Sequence, residues 1–98
     1  MISENAIRDA RSFRECIRIY EEAIAYLKRR KGTIASTARE IREFVWKAAE
    51  EAVSKALNLA VTEAEIREII TVTKRHKKSR ERFRDLYQEA NKKMREVA

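Results

Sequence analysis

Between Lys74 and Arg84 the chain reads Lys-Arg-His-Lys-Lys-Ser-Arg-Glu-Arg-Phe-Arg, seven cations against one anion. Side chains of this kind bind polyanions. Each phosphate they neutralise releases condensed counterions, which gives steeply salt-dependent affinity for a DNA or RNA backbone without base recognition. On a helix, Lys74, Lys77 and Lys78 project from one arc and Arg75 and Arg82 from another, with Arg84 between them. Arg80 lies in the same run, one turn beyond His76, and with it forms a polar layer in an otherwise apolar seam. That layer either faces a partner chain or faces the ligand. A cluster this dense and unpaired destabilises its own helix unless something outside relieves it; the bland alternative is a solvated helix middle. Lys28, Arg29, Arg30 and Lys31 form a second cluster, which the partial charge of a helix C-terminus accounts for without a ligand, so they are expected only to assist.

Catalytic chemistry is poorly supplied. A nucleophile needs a base beside it, and the chain has one histidine, His76, and one cysteine, Cys16, which the sequence does not bring together. One His and one Cys cannot furnish a zinc site, and no acidic cluster has the spacing of a calcium loop. Paired carboxylates such as Glu50 and Glu51 occur where many acids sit four residues from a base, as Glu51 does from Lys55, and read as surface ion pairs. There is no glycine-rich phosphate loop. The expectation is a protein that is not an enzyme and needs no cofactor or metal.

The elements that carry these residues are helices. Proline is absent and glycine occurs once, at Gly32, so the turns and strand boundaries of a β fold have nothing to form from. The first segment repeats apolar residues at steps of three and four from Ala6 to Leu27, which predicts a helix over about 4–31, closed by the cations and Gly32. A second begins near Thr37, whose spacing from Glu40 is that of a capping box, or nearer Thr33, and carries two apolar stripes that mark it as central. Thr62 and Glu65 make another capping box and start a third helix at about 63. From Ile66 to Val97 one heptad phase continues unbroken, arguing for a single long helix, while the β-branched run Ile69–Thr73 and the cationic centre argue for a break near Ser79. Unbroken, it would extend about 50 Å and overhang a bundle of about 40 Å. Its exposed seam, with Phe83, Tyr87 and Met94, would then need a second copy of the chain as cover, and Trp46 reads as an interface anchor.

The 98 residues therefore predict one all-α domain over 1–98, a helical hairpin or three-helix bundle with a long, basic C-terminal helix. The net charge is +7, concentrated in the cationic run. A lone cysteine excludes a disulfide scaffold and fits a reducing interior, and no segment approaches a membrane span of about 18 apolar residues. Abundant arginine and glutamate with a single glutamine suit a heat-adapted surface laced with ion pairs. The expected location is intracellular, either cytoplasmic or nucleoid-associated, or in a virion.

The stretch from Ser36 to Ala60, with Phe44-Val45-Trp46-Lys47-Ala48-Ala49-Glu50-Glu51-Ala52-Val53 at its centre, resembles the second helix of archaeal PaREP1 and related HEPN-type helical proteins. The first helix fits that layout loosely. HEPN ribonucleases carry an arginine followed four to six residues later by histidine, and no arginine precedes His76 at that distance, so the resemblance implies the helical layout and not the nuclease. In architecture alone, the chain is similar to small helical coat proteins of archaeal filamentous viruses, which wrap duplex DNA.

The expected function is phosphate binding to DNA or RNA without sequence preference, by a self-associating protein able to package or coat DNA. The alternative is a protein-interaction or assembly module whose cations only solvate it. A membrane-surface helix ranks below both, because no large apolar residues oppose the most cationic stretch.

Overall fold

The computed structural model describes residues 4–29 and 36–97, with side chains from 5 to 29 and from 39 to 97. All of its regular structure there is helical: α1 (Glu4–Asp9), α2 (Phe13–Arg29), α3 (Ser36–Leu59), α4 (Glu63–His76) and α5 (Glu81–Val97). The Gly32 turn, Arg30, Lys31 and the Thr37 side chain of the expected second capping box lie outside the described residues.

The first helix, expected to be continuous, is divided, and the third takes the break near Ser79 that stood as the alternative to a single rod. The first stops at Asp9 and restarts at Phe13, because Ser12 caps the new start: its Oγ accepts from the Glu15 amide at 3.1 Å, while Glu15 Oε2 accepts from the Arg11 amide at 2.9 Å. The third ends at His76, turns through Lys77–Ser79 and resumes at Glu81. A straight rod would leave Phe83, Leu86 and Ala90 in water, whereas the fold leaves each at most 1% exposed. Burying the two large side chains contributes about 1.5–3 kcal/mol each, and the few helical hydrogen bonds lost cost about 1 kcal/mol each. Folding back wins. The long C-terminal rod is thus corrected to a hairpin, and the chain itself, not a second copy, covers the seam.

At the start of α4 the expected capping box is present in both directions. Thr62 Oγ1 accepts from the Glu65 amide at 3.1 Å, and Glu65 Oε1 accepts from the Thr62 amide at the same distance. Its backbone bonds hold the Glu65 carboxyl below the usual carboxylate range.

The result is an up-down-up-down bundle, measuring 46 × 29 × 16 Å, built from the hairpins α2/α3 and α4/α5. Arg14 pairs with Glu68 and Tyr20 with His76, so α2 and α4 run parallel. Arg80 reaches Glu50 and Lys93 reaches Leu57, so α3 and α5 run parallel in the opposite sense. Alanines at 49, 52 and 56 are fully buried along α3 and let its neighbours approach closely. Three bases close the carbonyl ends of neighbouring helices: Lys55 donates to the Ile7 and Arg8 carbonyls, Arg42 to that of Leu27 and Lys93 to that of Leu57. Such cations satisfy orphan acceptors and keep α1 attached to α3.

Candidate nucleic-acid interface

Antiparallel alternation points the C-termini of α2 and α4 the same way, with the hairpins staggered: Tyr20, midway along α2, bonds His76, the last residue of α4, so the α4–α5 turn lies beside the C-terminal half of α2. The two cationic clusters, 45 residues apart in the chain, therefore converge. Lys28 and Arg29 close α2, and Lys74, Arg75, Lys77 and Lys78 close α4. The electrostatics record the meeting: His76 is held below its ordinary value by burial first, then by Arg75 beside it and Lys28 across from it. Burial raises the Tyr20 hydroxyl, and Arg75, within reach of it, opposes that rise.

Beneath this end lies an aromatic floor. Tyr20 Oη and His76 Nε2 share a hydrogen bond of 2.7 Å, and the His76 ring stands 4.8 Å from Phe83 and 5.3 Å from Trp46, centroid to centroid. Phe83 is fully buried and Trp46 packs half-buried against the core. Both were expected at an interface between chains; the structure packs them against each other inside one bundle, ring centres 6.2 Å apart. Tyr87 and Met94 are also half-buried, Tyr87 beneath Lys77 Nζ at 4.2 Å and Met94 against the core. The polar layer of His76 and Arg80 faces inward.

Arg80 is the most engaged base of the run. Its two terminal nitrogens donate to the Glu43 carboxylate at 2.9 Å each, its Nε donates to Glu50 at 3.0 Å, and the guanidinium lies 5.2 Å from the Trp46 ring centre. The two carboxylates push the guanidinium pKa up, and Arg80 holds Glu43 below the usual carboxylate range. Glu50 is only 7% exposed, so this is the countercharge of a buried acid and not a docking point. Arg82 donates to Ser54 at 3.1 Å and pairs with Glu89 at 3.5 Å. Both arginines were expected to contact phosphate, and both turn instead to groups of their own chain. The sequence offered a signal that was missed, since Glu43 and Glu50 lie two helical turns apart on one face of α3, ready to be bridged.

Lys28, Arg29, Lys74, Arg75, Lys78 and Arg84 remain exposed with no ion pair among the described residues. Lys77 keeps its charge over the Tyr87 ring. Six side chains at one end, joined by a seventh, can neutralise about five phosphates along a backbone.

Elsewhere the charges interleave. The opposite end carries a shallow cavity of about 300 Å³ lined by Leu57, Asn58, Glu89, Lys92, Lys93 and Glu96, acids and bases mixed. Cys16 is fully buried, and its thiol is raised by that burial, which suppresses the thiolate. Among the described residues no three of His, Cys, Asp and Glu cluster to hold a metal ion, and no helix is long and apolar enough to cross a membrane. In comparison with known proteins, no family model matches the chain, and neither a curated protein nor a solved structure matches it.

Proposed function

We propose that this protein binds the phosphate backbone of DNA or RNA, without sequence preference and without catalysis, through the end of the bundle where α2 and α4 finish. The supporting observation is the approach of Lys28 to Arg75 about His76, with Arg29, Lys74, Lys78 and Arg84 on the adjoining helix ends and turn, all exposed and without an ion pair among the described residues. Helix-terminus complementation accounts for one or two cations at each of two C-termini and leaves the others unexplained. Arg80 and Arg82 leave the contact set and act as braces. A basic self-associating protein of this kind suits packaging or coating of nucleic acid within a cell or virion.

Titration of a labelled nonspecific duplex, followed by fluorescence anisotropy, tests the reading. With about five phosphate contacts, affinity falls about 500-fold between about 50 and 200 mM salt. Combined charge reversal of Lys74, Lys78 and Arg84 abolishes binding while the helical circular dichroism is unchanged. Undiminished binding by that variant would remove the site.

A second reading, an assembly module with no nucleic-acid role, draws on a different surface. Ile41 and Phe44 on α3 are 46% and 48% exposed, unusual for large apolar side chains one turn apart.

A further inference from the structure

Ile41, Phe44 and Ala48 follow the three-four spacing of a helical contact seam, positions a, d and a of a heptad. The seam lies on the outer side of α3, beside α1. Phe44 and Ala48 line a notch of about 100 Å³ together with half-buried Ile7, and Lys47 and Glu51 form its rim. Among the described residues of α3, Val45, Ala49, Ala52 and Val53 are turned into the core.

Charge specifies what can cover this seam. Glu40 and Lys47 occupy successive g positions along one flank and are both exposed, whereas the e positions on the other flank, Val45 and Ala52, are buried in the protein's own core. A parallel partner helix would need that buried flank, because parallel pairs set g against e. An antiparallel partner sets g against g on the exposed flank, so its charge pairs need nothing from the buried one. In the antiparallel register that sets Ile41 of one copy beside Phe44 of the other, two-fold symmetry repeats the apolar contact and sets each Glu40 against the Lys47 of the other copy. Sliding by one heptad in either direction opposes Lys47 to Lys47 or Glu40 to Glu40. The sequence therefore favours one register and penalises its neighbours.

We propose that this face of α3 is a homodimer interface, in which two copies pair antiparallel across Ile41 and Phe44 with reciprocal Glu40–Lys47 ion pairs at the rim. The face lies on the outer side of α3, in the half of that helix nearest the cationic end, but its pairing does not depend on what that end binds. Self-association expected from the C-terminal seam is thereby relocated, because Phe83 and its neighbours are covered within one chain while Ile41 and Phe44 are not.

Sedimentation equilibrium across a dilution series tests the assignment. The wild-type chain is expected to approach twice its 11.6 kDa mass at high concentration, and Phe44→Glu, at an exposed site that leaves the fold intact, to remain at the single-chain mass throughout. Lys47→Glu alone sets glutamates against Glu40 and weakens dimerisation at least tenfold, and the double exchange Glu40→Lys with Lys47→Glu restores it. That rescue separates the antiparallel pairing from any general effect of charge. A wild-type chain that stays at single mass, a dimer indifferent to Phe44→Glu, or a Lys47→Glu variant that dimerises more tightly would each overturn the proposal. Anisotropy with duplex, run on the same variants, keeps the two surfaces distinct, since a single-mass Phe44→Glu protein still carries the cationic end.

Discussion

His76 is the residue where the cationic end and the core meet, and its chemistry follows from what surrounds it. Its ring is wedged among Tyr20, Trp46 and Phe83, and Arg75 and Lys28 repel a proton on it, so that proton is disfavoured by burial first and by repulsion as well. Its folded value lies below the ordinary 6.5, so over that interval the unfolded chain takes up a proton that the folded protein refuses. The stability this contributes is present above about pH 6.5 and is lost as the pH falls below it. Thermal unfolding followed from about pH 7.5 to about pH 5.5 should show a falling midpoint, and His76→Gln should flatten that decline. Equal declines in the two proteins would mean that another group carries the titration. Glu43 acts in a separate and lower window: its carboxyl is held down by Arg80, and that contribution is lost only as the pH falls below the ordinary carboxylate range.

Arg80, in the turn between α4 and α5, shows how elements are fixed by charge as well as by apolar burial. It joins the turn to α3 through Glu43 and the nearly buried Glu50, so truncating it strands Glu50 without a countercharge. Arg80→Ala should cost about 3 kcal/mol in urea unfolding, and Arg80→Lys should recover little because a single ammonium cannot serve both carboxylates in the same planar geometry. A loss below about 0.5 kcal/mol, the scale of an exposed pair, would reduce the clamp to a surface contact. The helical class and the Thr62–Glu65 box were legible in the sequence, because heptad spacing and capping chemistry are local. The first helix break was not, and the second was legible only as an alternative to a single rod. Ser12 and Glu15 repeat the Thr62–Glu65 spacing, so the first break was signalled locally but masked by a hydrophobic period that continues in phase across it. The second break has only weak local signals, and the gain that decides it, burial of Phe83 and Leu86 against α2 and α3, depends on residues distant in the chain. A heptad phase cannot distinguish a rod from a hairpin when both keep the same face apolar. For the same reason Arg80 and Arg82 read as ligand-binding cations until the turn carried them onto Glu43, Glu50 and Ser54.

At the scale of the whole molecule, the exposed cations of the proposed contact set lie toward one end of its long axis. About 36 Å long, α3 must lie along the 46 Å dimension, because the 29 × 16 Å cross-section cannot hold it. At one end of that axis stand exposed cations drawn from α2, α4 and α5. At the other, Glu89, Lys92 and Glu96 alternate in sign. The exposed cations draw an approaching polyanion toward their end before contact. The central claim is that two segments far apart in sequence make one phosphate-binding surface, and amide chemical-shift mapping of the labelled protein with a short nonspecific duplex tests it most directly. The expected result is that Lys28 and Arg29 shift in step with Lys74–Lys78 and Arg84, along one binding curve that disappears at high salt, while Asn58 and Lys92 stay in place. Shifts centred on the Asn58 and Lys92 end, or on the α4–α5 turn with Lys28 and Arg29 unmoved, would contradict it.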